Sequence, residues 1–407
     1  MTVWRETKLE NLLLFSNGRT SPKRDSTGDV PVYGSNGIIG FSSESNSPAN
    51  TIVIGRVGSY CGSLYLSRQK CWVTDNAIRA NIKDDNDPSF LYFLLTTLNL
   101  NDKRAGSGQP LLNQSILNTI SVRVPPAPLQ KVIAKILSAF DNKIALNRRM
   151  NATMEAIALA LFKAWFVDFE PVRANMEHRP SESAPPEVAK LFPAEFENGV
   201  PKGWARKKVN RTASRIQYGF TQSSTYEKVG PKFLRITDIQ GGKIEWEQVP
   251  YCVINDSDFK KYEVREHDIF IARTGASTGE NVYVIDSPTA VFASYLIRVQ
   301  FDDPILAFYF GKFFRSDNYF DYVESILGGS AQPNANAQEL TNIEAIVPDH
   351  ELLKQFFSQL YLLDKQKSAN DRENRKLAEI RNLVLPRLIS GKINVNEDKN
   401  DITEEIG

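Results

Sequence analysis

Val124–Asn151 reads VPPAPLQKVIAKILSAFDNKIALNRRMN, and Val347–Asn374 reads VPDHELLKQFFSQLYLLDKQKSANDREN. Both begin with Val-Pro, and Asp141, Asn147 and Asn151 of the first fall on Asp364, Asn370 and Asn374 of the second. The offset is constant at 223 residues (347 − 124). The register extends upstream, where Gln109-Pro110, Asn113, Leu117 and Ile120 recur as Gln332-Pro333, Asn336, Leu340 and Ile343. A period this long is not that of a solenoid, so the chain reads as one duplicated module with pseudo-twofold symmetry.

Within the first stretch and beyond it, Ile133, Leu137, Phe140, Ile144, Asn147, Asn151, Met154, Ala158, Leu161 and Trp165 alternate at spacings of four and three. That is the a/d seam of a coiled coil. Adding the offset gives Phe356, Leu360, Leu363, Lys367, Asn370, Asn374, Leu377, Arg381, Val384 and Leu388. Each seam is apolar at its ends and polar in its middle. Isolated polar seam residues fix register at a cost in stability, so the matched Asn pairs predict two helices pairing antiparallel with their Asn layers meeting near the centre. A helix of about forty residues is roughly 60 Å long, long enough to act as a spacer between globular domains. Off the seam, Leu159, Phe162, Phe166 and Phe169 are too apolar for a solvated face and predict a partner groove or contact with the neighbouring domain. As a partner surface they would lose that partner on Phe162→Asp.

Outside the seams, each half opens with a Trp and a basic segment, Trp4 to Lys8 and Trp204 to Lys208. Runs of β character follow, separated by Gly and Asn turns: 30–33, 51–54, 63–66 and 77–82, then 232–236, 268–272, 281–285 and 294–300. Residues 91–98 and 305–314 read as short helices. The fold class is α+β, with two globular α/β domains separated by two long antiparallel coiled-coil helices. The boundaries are 1–124 for the first domain, 125–170 for the first helix, 204–347 for the second domain and 348–391 for the second helix. Residues 171–203, with six prolines (171, 180, 185, 186, 193 and 201), read as a linker, and 392–407 as an acidic tail.

No apolar run approaches the roughly 18 residues needed to span a bilayer, and the N-terminus has no apolar signal core, so a cytoplasmic location is expected. The three cysteines, Cys61, Cys71 and Cys252, form no CxxC pair, and His178, His267 and His350 are scattered, so no metal site is expected. A net charge of +1 is low for a nucleic-acid binder, because non-specific affinity comes from phosphate neutralisation. DNA affinity would then need segregated charge or a partner. Duplex DNA nevertheless suits a pseudo-twofold chain, since it offers two half-sites about one helical turn, roughly 34 Å, apart.

Motifs for chemistry are missing from the sequence. An Asn/Asp-Pro-Pro-Tyr/Phe element for a flipped base and a GxxxxGK[ST] phosphate loop are both absent. Gly55–Gly62 (GRVGSYCG) and its mirror Ala272–Gly279 (ARTGASTG) could cradle a phosphate, yet each lies between two β-like runs and reads better as a hairpin connection. Asp75 and Asp238 do not make a nuclease cluster. No catalytic residues are expected.

Base reading needs donors and acceptors on exposed loops. In the first domain the candidates are Arg19, Lys23, Arg24, Ser35, Asn36, Arg56, Tyr60, Lys103 and Arg104. In the second they are Arg215, Gln217, Tyr218, Thr221, Arg235, Arg273, Thr274 and Ser277. The loops of the two halves differ, as a reader of two different half-sites requires.

The stretch Val124–Asn151, its continuation ALFKAWFVDFEP (160–171), the distal Leu377–Gly391 and the repeated Gly-x-x-Gln-Pro at 106–110 and 329–333 closely resemble the conserved regions of specificity (S) subunits of type I restriction-modification enzymes. The resemblance implies two target recognition domains, each reading half of a split asymmetric site in double-stranded DNA. It also implies helices that carry two methyltransferase (M) subunits, with restriction (R) subunits joining the assembly. S-adenosylmethionine, ATP and Mg would be bound by those partners and no cofactor by this chain. The alternatives are the recognition part of a fused restriction-methyltransferase, or a coiled-coil assembly scaffold.

Overall fold

The computed structural model describes residues 4–25, 27–103, 111–328 and 334–395. Arg104, both Gly-x-x-Gln-Pro elements and the acidic stretch from Asn396 onward lie outside the described residues. The chain divides into two compact units, one of residues up to Leu146 together with those from Glu373, the other Asn147–Arg372.

Unit 1 runs β1 (Arg5–Lys8), β2 (Leu13–Asn17), β3 (Val30–Gly34), β4 (Gly37–Ser42), β5 (Thr51–Gly55), β6 (Leu64–Ser67), β7 (Trp72–Val73), β8 (Ala77–Ile82), α1 (Pro88–Thr96), α2 (Gln114–Thr119), β9 (Ser121–Val124) and the first half of α3 (Ala127–Phe166). An antiparallel sheet in the order β2-β8-β5-β6 forms its frame. Its strand β5, TIVIG, is buried at every position, as a β-branched central strand should be. A second sheet sets β3 antiparallel to β4 and parallel to β7.

Unit 2 continues with α4 (Glu170–Met176), α5 (Pro186–Ala189), β10 (Phe196–Glu197), β11 (Val200–Pro201), β12 (Ala205–Lys208), α6 (Val209–Thr212), β13 (Arg215–Tyr218), β14 (Lys232–Leu234), α7 (Asp256–Tyr262), β15 (Ile269–Ala272), β16 (Asn281–Tyr283), β17 (Ala290–Phe292), β18 (Leu296–Gln300), α8 (Pro304–Phe313), α9 (Asp317–Leu327), α10 (Ala337–Thr341), β19 (Glu344–Val347) and α11 (His350–Ile389), whose last part belongs to unit 1. Here the four-stranded sheet is β13-β18-β15-β16, and β14 pairs parallel with β17. The frame of unit 1 is thus repeated.

The repeated residues now have physical roles. Asn113 and Asn336 cap α2 and α10, accepting from Ile116 N at 2.9 Å and Glu339 N at 3.0 Å. In the second copy Glu339 returns a bond to Asn336 N, completing a capping box. Val124 and Val347 end β9 and β19, which pair antiparallel with β1 and β12. The two tryptophans seal helix ends. Trp204 packs on Phe166 at the end of α3, and a Cβ on Gly391, just beyond α11, would lie 2.7 Å from the Trp4 ring.

Within each unit α3 and α11 run antiparallel, partner numbers falling on one as they rise on the other. In unit 1 Asp141 meets Arg381 and Lys143 meets Glu373. In unit 2 Asn151 meets Asn370 and Glu155 meets Lys367. Ile133, Leu137, Ile144, Asn147, Phe356, Leu360, Asn370 and Asn374 are buried, and Phe140, Asn151, Leu363 and Leu377 half-buried. The helices also pack on their own units, with Ile133 and Leu137 in the core beside β2 and β5, and Phe356 and Leu360 in the core beside α8.

Two expectations change. Phe162 and Phe166 are not a free surface: they are 2 % and 4 % exposed and packed against Tyr309 and Phe356. The contact with the neighbouring domain is the alternative that the core adopts. The Pro-rich stretch 171–203 connects the first helix to β12 and is itself folded, placing Val172, Val188, Phe192 and Val200 in the unit 2 core. Proline breaks long elements but does not prevent burial of the residues between. Among the described residues no helix is long and apolar enough to cross a membrane.

Candidate nucleic-acid interface

In unit 1, β2 ends at Asn17, β5 ends at Gly55 and β8 starts at Ala77, and these ends lie together because Asn17 pairs with Ile78 and Gly55 with Ala77. The loops leaving them are therefore neighbours. Arg19 donates its N–H to Val73 O at 3.0 Å, Arg56 its N–H to Asn76 O at 3.0 Å, and the Ser35 hydroxyl donates to the same Asn76 carbonyl. Close approach is possible because Gly18 has no side chain: a Cβ there would stand 1.9 Å from Thr74 O. Arg19, Lys23, Arg24, Asn36 and Tyr60 are exposed on this rim. Arg24 donates to Ile39 O at 3.3 Å, which draws its loop against the β3–β4 hairpin. Lys103 is exposed on a single 3-10 turn, Leu100–Lys103, that packs against Gly62.

Unit 2 builds the equivalent rim from the ends of β13 and β15 and the start of β18. Gly219 lies under Ala293 as Gly18 lies under Thr74, a Cβ there falling 2.3 Å from Ala293 O. Arg273 donates its N–H to Tyr295 O at 3.1 Å, and its guanidinium lies 5.0 Å over the Tyr218 ring. The Tyr218 hydroxyl accepts from Ala337 N at 2.9 Å, tying this rim to α10. Thr221 is exposed, and Thr274 and Ser277 are half-buried in the β15–β16 turn.

Three of the expected residues stand apart. Arg215 opens β13 opposite Gln300, at the other end of the strand from this rim. Gln217 is occupied internally: its Oε1 accepts from Arg298 Nη2 at 2.5 Å and its Nε2 donates to Lys261 O at 3.3 Å. Arg235 forms a two-bond pair with Asp238, both at 2.9 Å, which holds the guanidinium above its ordinary pKa and removes Asp238 from any carboxylate cluster. Asn76 and Tyr295 are rim residues that sequence reasoning passed over, and Tyr226 lies farther along the loop that leaves β13; Tyr295 is 57 % exposed and Tyr226 74 %. A lone tyrosine in a Ser/Thr-rich loop was the available signal for Tyr226.

In the same sheet unit 2 carries a buried Arg298–Asp268 pair at 3.4 Å, with Asp268 bonded to Gln300 at the end away from the rim. Burial raises the Asp268 carboxyl and lowers the Arg298 guanidinium, each against the pull of its partner. In unit 1 Arg79 takes the place of Arg298 on β8 and donates to Asn46 O at 2.8 Å.

Residues 1–156 match the type I restriction modification DNA specificity domain. The chain is 25% identical over 362 residues to the type I restriction enzyme HindI specificity subunit of Haemophilus influenzae, covering 75% of this chain and 77% of that one. It is 26% identical over 360 residues to the MjaIX specificity subunit of Methanocaldococcus jannaschii, covering 82% and 76%. Its fold is similar to that of the solved S subunit of a type I restriction-modification system from M. genitalium, with TM-score 0.64 and 16% identity over 95% of this chain and 96% of that one.

Proposed function

We propose that this chain, a non-catalytic specificity subunit of the type I restriction-modification class, reads a two-part asymmetric DNA site, one half with each rim. One observation carries the reading: the same strand frame is built twice and presents different side chains each time, with Tyr60 and Asn76 on one rim where Ser277 and Tyr295 stand on the other. A shared frame sets the geometry and divergent rims supply the discrimination. In unit 1 the reading surface comprises Arg19, Lys23, Arg24, Ser35, Asn36, Arg56, Tyr60 and Lys103, joined by Asn76. In unit 2 it comprises Tyr218, Thr221, Arg273, Thr274 and Ser277, joined by Tyr226 and Tyr295.

The chemistry then belongs to partners. Methyltransferase and restriction subunits bring S-adenosylmethionine, ATP and Mg, and the chain brings them to the site. Unit 2 has an open groove for such a partner, lined by Ile157, Ala160, Leu161, Ala164 and Val167 of α3 and its end, with Arg173 at the margin. Ile157 is 50 % exposed there, which suits an apolar contact with a partner.

Modification-sensitive long-read sequencing of host DNA with and without this gene tests the proposal. The expected result is a split motif whose adenine methylation disappears on deletion. An unchanged methylation map, with the methyltransferase partner expressed and intact, would overturn it.

A further inference from the structure

The hairpin turns Gly55–Gly62 and Ala272–Gly279 are built alike, β5 to β6 in unit 1 and β15 to β16 in unit 2. In both, Arg is the first residue past the strand. Arg56 donates its N–H to Asn76 O at 3.0 Å and accepts at its carbonyl from Leu112 N at 3.2 Å; Arg273 donates to Tyr295 O at 3.1 Å and accepts from Ala335 N at 3.0 Å. Leu112 and Ala335 are related by the 223-residue offset, so the same three segments meet in each unit. Gly62 and Gly279, at φ +86° and +90°, close the turns with bonds of 2.8 and 2.9 Å to Gly55 O and Ala272 O. The root of each arginine is held from two sides.

Neither guanidinium is ion-paired or hydrogen-bonded to a protein group among the described residues, and each Nε is buried without a partner, although that of Arg273 lies over the Tyr218 ring. Arg79 and Arg298 also bury an Nε without a partner, but their terminal nitrogens are occupied, Arg79 donating to Asn46 O and Arg298 to Glu263 O, and Arg235 is paired with Asp238. A half-exposed guanidinium with its root fixed and no carboxylate partner is open to an anion from solvent. Finding it at the same place in two units whose surroundings differ points to an anion supplied from outside. The residues beside the two arginines are not alike, so a contact common to both rims cannot distinguish one half-site from the other. A backbone phosphate is the part of DNA that is the same in both.

We infer that Arg56 and Arg273 each seat one DNA backbone phosphate, anchoring its unit irrespective of sequence, while base discrimination falls to the dissimilar neighbours. This rests on the DNA-reading function proposed above.

The test is salt-titrated binding by fluorescence anisotropy, using the full chain co-purified with its methyltransferase partner. The probes are a duplex carrying the mapped motif and a scrambled duplex. Arg56→Gln and Arg273→Gln should each weaken both duplexes by the same factor, roughly tenfold or more. Each should also lower the slope of log affinity against log salt by about one, and the double variant by about two. Arg56→Lys and Arg273→Lys keep the charge and should keep the slope; they decide the matter should a glutamine variant lose its fold. Unchanged slopes in folded glutamine variants, or relaxed preference at one base pair in any variant, would overturn the inference. A wild-type complex with no preference between the duplexes overturns the DNA-reading function instead, and the slopes still decide the phosphate seats.

Discussion

The side-chain amides of Asn151 and Asn370 bond to each other at 2.8 Å between the two long helices of unit 2. Asn151 also donates to Asp371 at 2.8 Å and to Lys367 O at 3.3 Å, while Asn370 accepts from Gln366 at 2.8 Å. The layer is satisfied on both sides, which is the condition under which a polar seam residue specifies register without leaving an orphaned group.

Removing one partner should therefore be worse than removing both. Asn370→Leu leaves the Asn151 amide oxygen facing an apolar side chain and should cost about 1–3 kcal/mol. The Asn151→Leu/Asn370→Leu double variant should melt at or above the wild-type temperature, since two leucines pack as an ordinary seam layer. Calorimetric melting of the three proteins checks this; a neutral single variant would show that the layer does not hold the helices.

How far the sequence foretold this architecture depends on the region. From Asn113 and Asn336 onward the two copies keep one offset, because caps, strand ends and seam positions tolerate no insertion. Upstream the equivalent positions drift: Trp4 and Trp204 are 200 apart, Arg56 and Arg273 217, Arg79 and Arg298 219, Asp87 and Asp303 216. Loops of different length separate them, so the repeat in the sheets is invisible to a fixed-offset comparison and emerges only when strand pairing aligns it. The candidate site was legible as a set of loops but not as side-chain destinations. Gln217 and Arg235 carry the right groups, but other residues claim them: Arg298 donates to the Gln217 amide oxygen, Lys261 O accepts from its nitrogen, and Asp238, three residues on, holds Arg235. The apolar stripe around Phe162 had two readings, surface or core, which periodicity alone cannot separate.

Phe162 and Ile157 occupy a core and an exposed position on one helix. Phe162 touches Phe166, Tyr309 and Phe356 edge-on or tilted, so Phe162→Ala should cost about 3–5 kcal/mol in stability. Ile157 is half exposed, so Ile157→Asp should leave the melting temperature nearly unchanged. Ile157→Asp should nevertheless reduce co-purification with the methyltransferase subunit, measured by tandem affinity pull-down. Full retention of that partner would place its contact elsewhere.

Glu170 should make stability acid-sensitive. Burial pushes its carboxyl up, but hydrogen bonds from the Ser181 and Ser183 hydroxyls, the Glu182 amide and Arg179 outweigh this and bring it down to about 2. A folded pKa below the unfolded value of about 4.3 stabilises the fold above that pH, and the contribution disappears as pH falls toward the folded value. Its size is on the order of 2 kcal/mol. Glu170→Gln should lower stability at pH 7 and flatten the loss between pH 5 and 2, as followed by denaturant titration at each pH. Parallel curves for variant and wild type would remove Glu170 as a source of acid sensitivity.

The two rims should be separable in the methylated motif itself. Asn36 is exposed on the β3–β4 turn of unit 1, and Tyr295 is 57 % exposed on the turn into β18 of unit 2. Neither side chain supports the core, so Asn36→Ala and Tyr295→Ala should leave folding intact. Each should instead relax the motif on one side, at about 1–3 kcal/mol of lost discrimination per base pair. Long-read methylation maps from hosts carrying each variant would show degenerate positions confined to one half-site for Asn36→Ala and to the other for Tyr295→Ala. If both variants degraded the same half-site, the assignment of one rim to each half would fail, because a single unit would then carry all of the reading.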